Sequence, residues 1–175
     1  FCDIGAYDGD SLAATKAVFP QLTRSLTIEP SAAMAPTITA VAERIGVTNR
    51  TFTGVAWSHP TRLGARLIFN GMLVIEEDTA GDIQAETLDA LTAGAAYDYV
   101  KMDVEATEAT VMAGGVETLK RARCIAMASY HLPGDLIDLP TRLRRLLGDE
   151  AGATWRLAFA HYSQSFDDSI FYLYR

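Results

Sequence analysis

The fold is decided by an apolar strand that runs into a glycine-containing loop, Asp3-Ile4-Gly5-Ala6-Tyr7-Asp8-Gly9-Asp10-Ser11. Gly5 and Gly9 let the backbone turn tightly and approach a ligand closely. A helix is predicted to follow at residues 11–19, with Asp10 or Ser11 as its N-cap. Gly5 and Gly9 stand four residues apart, so the G-x-G-x-x-G fingerprint of pyrophosphate binding is absent. The loop therefore predicts a ligand site, but not a dinucleotide site.

Strands and helices alternate along the chain beyond this loop. Further strands are predicted at residues 25–28, 51–57, 97–104, 124–129, 155–162 and 169–174. Helices are predicted at residues 34–45, 86–91 and 107–121, the last interrupted at Gly114-Gly115, and from Pro133 onward. Residues 67–75 read as a hairpin with an Asn70-Gly71 turn. This order predicts an α/β fold with a mostly parallel seven-stranded sheet, helices on both faces and an antiparallel C-terminal hairpin. The layout resembles that of the Rossmann-like class I methyltransferases.

The first loop carries carboxylates as well as glycines. Asp3 and Asp8 would repel phosphates but suit an ammonium or a sulfonium group. S-adenosylmethionine carries both groups, together with a carboxylate that the start of a helix favours. The candidate residues for binding this cofactor are therefore Asp3, Gly5, Asp8, Gly9 and Ser11. The alternative is an ordinary strand–helix turn with an aspartate cap.

In an open parallel sheet, ligands bind beyond the carboxyl ends of the strands, so the residues after the next two strands are further candidates. Glu29 follows the second strand, about 20 residues beyond the loop glycines, where an acidic residue accepts both hydroxyls of a ribose. The backbone at Ala56, at the end of the third strand, is a candidate neighbour for an adenine edge. A helix-entry acid at Glu29 and core packing around Trp57 are the alternatives.

The fourth and fifth strands end in charged and polar residues. Alternation along an extended segment would place Lys101, Asp103 and Glu105 on one side, as a polar floor in which Asp103 faces the reacting methyl group or the acceptor hydroxyl. Pairing of Lys101 with Asp103 or Glu105 is the alternative. His131 follows the fifth strand and can accept a proton near neutral pH. His131 and Asp103 are therefore the catalytic candidates.

A divalent cation remains an open variant of this site. Asp103, Glu105 and His131 offer suitable ligand types, and a bound metal ion would lower the pKa of a substrate hydroxyl. None of the site residues predicted above is assigned as a metal ligand.

The chain resembles the FkbM-type S-adenosylmethionine-dependent methyltransferases over nearly its whole length. The matching stretches are residues 3–9, Ile28-Glu29-Pro30, residues 86–91, Ser129-Tyr130-His131, His161-Tyr162 and, most specifically, the Lys-x-Asp-x-Glu-x-x-Glu pattern within residues 97–108. The resemblance implies a Rossmann-like fold, S-adenosylmethionine as methyl donor, and O-methylation of a hydroxylated small molecule such as a sugar or a polyketide.

Two positions depart from that family. Tyr7 stands where the family often has a small polar residue, typically Asn, and Ala106 replaces a common Gly. These departures motivate the alternative of a catalytically inactive cofactor-binding domain. A nicotinamide-dependent oxidoreductase is a further rival, which the missing fingerprint and the acidic first loop oppose.

Composition limits the partners and the location of the chain. The 175 residues carry a net charge of −7 and no basic stripe, which disfavours nucleic acid. No apolar run approaches the roughly 20 residues of a membrane span. Cys2 and Cys124 lie in apolar runs and read as small hydrophobic residues in a reducing cytoplasm. We expect one domain over residues 1–175, whose N-terminus is truncated because Phe1 lies within a strand, and a homodimer contact through the predicted hairpin.

Overall fold

A computed structural model describes residues 1–67, 73–149, 152–165 and 168–175 of the chain. In chain order its strands are β1 (Cys2–Ile4), β2 (Arg24–Glu29), β3 (Thr48–Thr53), β4 (Val55–Trp57), β5 (Thr61–Leu67), β6 (Leu73–Glu77), β7 (Ile83–Thr87), β8 (Tyr99–Met102), β9 (Cys124–Ala128), β10 (Arg156–His161) and β11 (Ser169–Tyr174). Its helices are α1 (Asp10–Val18), α2 (Ala35–Arg44), α3 (Leu88–Thr92), α4 (Glu108–Ala113), α5 (Val116–Arg121) and α6 (Asp135–Leu146).

The larger sheet has the predicted topology. Within the described residues it contains seven strands in the order β10-β11-β9-β8-β1-β2-β3. The strands β1, β2, β3, β8 and β9 pair in parallel, whereas β11 pairs antiparallel with both β9 and β10. The prediction of a mostly parallel sheet with an antiparallel C-terminal hairpin is confirmed. Because β1 lies between β2 and β8, the loops that follow these three strands emerge side by side.

Successive side chains of the central strands point to opposite faces of this sheet, and helices pack against the apolar side chains on each face. Cys2 and Ile4 of β1 face a core built with residues of α3 to α6, including Leu88, Val111 and Leu143. On the opposite face, Phe1 packs in a smaller cluster with residues of α1 and α2, including Leu12 and Ala42. The expected helices on both faces are therefore present.

A second, smaller sheet corrects the sequence-based prediction. The strand predicted at residues 51–57 is split at Gly54 into β3, in the large sheet, and β4, in a second sheet. Among the described residues this second sheet has four strands, in the order β4-β7-β5-β6. A Cβ atom at Gly54 would lie 2.4 Å from the Gln84 carbonyl oxygen, so the chain leaves the first sheet where only glycine fits.

Three smaller points complete the comparison with the sequence-based prediction. The helix predicted at residues 86–91 begins at Leu88, because Glu86 and Thr87 complete β7, and the Thr87 side chain accepts a hydrogen bond from the Ala90 amide. β5 and β6 form the expected antiparallel pair, but the predicted Asn70-Gly71 turn lies outside the described residues. Cys2 is buried as expected, whereas Cys124 is only half-buried.

No helix in the described part of the chain is long and apolar enough to cross a membrane.

Candidate functional site

The glycine loop after β1 is held against the end of β8. Gly5 has a φ of +82°, and the Gly5 and Ala6 amides both donate to the Ile28 carbonyl oxygen, at 3.0 and 3.1 Å. A Cβ atom at Gly5 would lie 1.8 Å from the Asp103 carbonyl oxygen. Only glycine therefore satisfies both the left-handed backbone and the close approach of Asp103.

Glu29 ties the same loop to the end of β2. Its side chain is nearly buried, with the residue 8% exposed, and its two oxygens each accept one backbone amide, from Tyr7 and from Ser31, at 2.9 Å. A carboxylate offers about four lone-pair positions, so two remain for other donors. The structure brings Glu29 and the glycine loop together, as the sequence spacing predicts.

The carboxylates of Asp8 and Asp10 lie at the start of α1 and make it unsuitable for an anion. The helix begins after Gly9, which has a φ of +87° and is the N-cap in place of the predicted Asp10 or Ser11. The Asp10 amide donates to the half-buried Asp8 carboxylate at 3.1 Å, and the Ser11 amide and hydroxyl both donate to the Asp10 carboxylate. Since these carboxylates already occupy first-turn amides, the loop presents a negative potential that favours a cationic group.

Asp3 lies inside the sheet rather than in the loop. It is fully buried and forms an ion pair of 3.2 Å with Lys101, its register partner on β8, and the Lys101 ammonium also donates to the Gly5 carbonyl oxygen at 2.9 Å. Burial raises the pKa of Asp3 to about 6, although the Lys101 ammonium opposes this rise. Lys101 thus pairs with Asp3, and not with Asp103 or Glu105 as the alternative interpretation had it.

The segment after β8 does not continue the predicted alternation. β8 ends at Met102, and Glu105 and Ala106 both adopt left-handed backbone, with φ of +52° and +72°. Tyr7, the other position that departs from the resembled family, has a φ of +47°. Both family departures therefore place a residue with a Cβ atom where the backbone favours Gly or Asn.

His131 lies in a cluster of carboxylates at the ends of β8 and β9. Its Nδ1 lies 2.9 Å from Glu108 Oε1, and its Nε2 lies 3.4 Å from Asp103 Oδ1 and 3.8 Å from Glu105 Oε2. The His131 side chain is 5% exposed, yet neither ring nitrogen has a hydrogen bond of acceptable geometry with any described residue. The two catalytic candidates, Asp103 and His131, are thus brought together.

Burial and charge act in opposite directions on this imidazole. Burial lowers the pKa of His131, but Glu108, Asp103 and Glu105 favour its protonated form, and the net pKa is raised above its usual value. Next to it, the Tyr130 hydroxyl donates to Asp103 Oδ1 at 3.3 Å. Burial, and then the Asp103 carboxylate, raise the pKa of Tyr130, so this hydroxyl remains a donor at neutral pH.

Sequence reasoning missed Glu108 and Tyr130. Glu108 is 1% exposed and accepts a hydrogen bond of 3.1 Å from the Val104 amide in addition to its contact with His131. Its position as the last acid of the Lys-x-Asp-x-Glu-x-x-Glu pattern was the available signal. Ala56, the predicted neighbour of the adenine, lies in β4 within the core and is 1% exposed. Among the described residues, no hydrogen bond joins it to the loops that hold the other candidates.

A cavity larger than any recess at the candidate site lies elsewhere among the described residues. It measures about 1170 Å³ and is bordered at the amino ends of the strands by Phe1, Tyr99 and Cys124. A smaller recess of about 320 Å³ adjoins the candidate site and is lined by residues 129–133 and Leu136. Because ligands of open parallel sheets bind at the carboxyl ends, the smaller recess is the relevant one.

Comparison with solved structures places the fold. The methyltransferase FkbM from Methylobacillus flagellatus KT superposes with a TM-score of 0.78 and 22% identity, over 99% of this chain and 42% of that one. A putative O-methyltransferase from Klebsiella pneumoniae gives a TM-score of 0.51 and 16% identity, over 99% and 71% of the two chains. The O-methyltransferase from Bacillus cereus, in complex with SAH, gives 0.53 and 16%, over 99% and 73%.

These likenesses confirm the Rossmann-like methyltransferase fold and extend the FkbM resemblance to the backbone. The chain spans about two fifths of the length of the FkbM structure. No protein-family model matches the chain, and no curated protein matches it.

Proposed function

We propose that the chain is an S-adenosylmethionine-dependent methyltransferase of the FkbM type, which methylates a hydroxyl group of a small molecule. One observation carries this proposal: the loops after β1, β2, β8 and β9 converge through specific contacts. Glu29 binds the Tyr7 amide, Asp103 packs against Gly5, and His131 lies beside Asp103. The convergence sets a cofactor-binding half next to an acid–base half at the edge where such sheets bind ligands.

The described residues fit S-adenosylmethionine at the first half. The two free lone-pair positions of Glu29 suit ribose hydroxyls, and the acidic surroundings of Asp8 suit the ammonium and sulfonium groups. Gly5, Gly9 and Ser11 let backbone and hydroxyl groups approach the methionine part, and Ala56 is assigned to the adenine side. Asp3 acts through Lys101, which fixes the Gly5 carbonyl. When bound, the cofactor supplies an activated methyl group.

The second half positions and ionises the acceptor hydroxyl. Holding a nucleophile in line with the methyl group supplies about 7–11 kcal/mol of barrier reduction, and assisted proton removal adds about 3–5 kcal/mol. Asp103 and His131 are assigned to proton removal, because they are the catalytic candidates that meet beside the recess. Positioning is the larger contribution of the two.

The acceptor is assigned to the recess beside His131. Leu132 and Leu136, each 46% exposed, form an apolar border there, while Tyr130 and His131 provide polar groups and are themselves in contact with Asp103. Such a mixed surface suits a molecule that carries hydroxyl groups on a partly apolar frame, such as a sugar derivative or a polyketide.

Transfer of a labelled methyl group from S-adenosylmethionine to a panel of sugars, polyketides and other alcohols tests the proposal. We expect a hydroxyl-containing product whose methyl group carries the label. Binding of S-adenosylhomocysteine without turnover on any acceptor would favour the inactive binding domain instead. Failure of the cofactor to bind would overturn the methyltransferase assignment.

A further inference from the structure

We propose that Asp103, Glu108 and His131 form a binding site for one divalent ion of the first transition-metal row. The inference rests on the proposed function, because it names the group that would ionise the acceptor hydroxyl in that site. The sequence leaves a metal ion at Asp103, Glu105 and His131 as an open variant, and the structure replaces Glu105 by the buried Glu108 in the candidate ligand set.

The spacing of the three side chains fits one metal ion. One oxygen of each carboxylate and one ring nitrogen of His131 all lie within 4.8 Å of one another. Neighbouring ligands of a six-coordinate ion with bonds near 2.1 Å are about 3 Å apart. The contact of 2.9 Å between Glu108 Oε1 and His131 Nδ1 already has this spacing. Movement of the partly exposed Asp103 side chain, which is 30% exposed, would complete the set.

The burial of the cluster supplies an independent reason for a ligand. Both ring nitrogens of His131 are buried without a well-oriented hydrogen-bond partner among the described residues, and they face carboxylates on both sides. A buried polar atom left without a partner is costly, so such atoms commonly mark an ion or water that completes the site. One ion would bind one of the two ring nitrogens, and the other nitrogen would keep its proton and face the carboxylate on its own side.

The ligand types favour a transition metal over Mg²⁺ or Ca²⁺, and two hydrogen bonds orient the carboxylate ligands. An imidazole with two carboxylates suits Mn²⁺, Fe²⁺, Co²⁺ or Zn²⁺. The Val104 amide fixes Glu108, and the Tyr130 hydroxyl fixes Asp103, as outer hydrogen bonds commonly orient metal ligands. His131 lines the recess and the Asp103 side chain is partly exposed, so a substrate hydroxyl held in the recess would lie beside the ion, which would lower the pKa of that hydroxyl.

Binding of Co²⁺ alone to the chelator-treated, desalted protein tests the proposal. Calorimetry and visible absorption should report one Co²⁺ per chain, with proton release measured in two buffers of different ionisation enthalpy. Glu108→Gln preserves the acceptor for the Val104 amide but removes the charge, and should weaken Co²⁺ at least about tenfold. Glu117→Gln, at an exposed acid of α5, is the matched control and should bind as the wild type does.

Two results would overturn the metal site. One is no saturable Co²⁺ binding by the wild type up to millimolar concentration, and the other is a Co²⁺ affinity of Glu108→Gln and His131→Ala equal to that of the wild type. If Glu108→Gln does not fold by circular dichroism, Asp103→Asn takes its place, because Asp103 lies at the exposed side of the cluster. Titration of S-adenosylhomocysteine into the same metal-free protein separates the two proposals. Cofactor binding without metal binding removes only the metal site, whereas metal binding without cofactor binding removes the proposed function.

Discussion

The Tyr7 amide donates a hydrogen bond of 2.9 Å to Glu29 Oε2, and this bond joins the loop after β1 to the end of β2. The same carboxylate binds the Ser31 amide through its other oxygen. One buried acid therefore shapes the loop and keeps two lone-pair positions for a ligand. Loop geometry and cofactor affinity are thus expected to depend on the same residue.

Gly5→Ala should destabilise the protein by more than a left-handed backbone alone explains. The new Cβ atom would meet the Asp103 carbonyl oxygen at 1.8 Å, and the backbone of both strands would have to separate. Gly94→Ala is the matched control, because Gly94 has a φ of +79° but open space around its Cβ position. Chemical denaturation should show a loss of about 1–2 kcal/mol for Gly94→Ala and a clearly larger loss for Gly5→Ala. Equal losses would mean that the close approach to Asp103 is wrong.

Ala106→Gly should stabilise the protein. Ala106 has a φ of +72°, which costs an L-residue about 1–2 kcal/mol, and glycine removes this strain while adding some freedom to the unfolded chain. The net gain in the free energy of unfolding should be about 0.5–1 kcal/mol. The same substitution at the exposed helical residue Ala113 should instead lose up to about 1 kcal/mol. A loss at both positions would contradict the left-handed conformation of residue 106.

Asp3 should give the protein an unusual pH dependence. Its pKa is about 6 in the folded chain and about 3.9 when unfolded, so the folded state holds the extra proton between these values. The stability contribution of protonated Asp3 is therefore complete below about pH 4 and is lost as the pH rises through about 6. Subtracting the unfolding free energy of Asp3→Asn at each pH cancels the other carboxylates. The difference should fall between pH 4 and 6; a difference that rises over this range would refute the raised pKa.

His131→Ala should separate chemistry from cofactor binding. Loss of the imidazole should lower turnover by about 10²–10⁴-fold, whether His131 takes the proton itself or holds a metal ion. The affinity for S-adenosylhomocysteine should hardly change, because Glu29 and the glycine loop contact His131 through no described hydrogen bond. His59→Ala, at an exposed histidine in the loop between β4 and β5, is the control. Parallel loss of turnover and cofactor affinity would indicate a structural histidine.

The sequence predicts the mostly parallel larger sheet and its antiparallel C-terminal hairpin, because the strands and helices that build it are recognisable from their own apolar patterns. The second sheet is not predicted, because residues 51–57 read as one continuous strand. The sequence does not reveal that the chain changes sheets at Gly54, where the Gln84 carbonyl oxygen leaves no room for a Cβ atom. Among site residues, spacing along the chain places Glu29 correctly beside the loop. Glu108 and the Asp3–Lys101 pair escape prediction, because a helix start and the parallel register of β1 with β8 create those contacts in three dimensions.

The central claim, that Glu29 binds the ribose of S-adenosylmethionine, is tested most directly by calorimetric titration of S-adenosylhomocysteine and of its 2′,3′-dideoxy analogue. The wild type and Glu29→Ala are compared, with Glu43→Ala on the exposed face of α2 as the surface control. A charge-assisted hydrogen bond contributes about 1.5–3 kcal/mol, so Glu29→Ala should weaken S-adenosylhomocysteine at least about tenfold. The analogue should bind the wild type more weakly, and Glu29→Ala should weaken it less than it weakens S-adenosylhomocysteine, because only the loop contacts of Glu29 with the Tyr7 and Ser31 amides then remain to be lost. Absence of binding by the wild type, or equal binding by the wild type and Glu29→Ala, would contradict the claim.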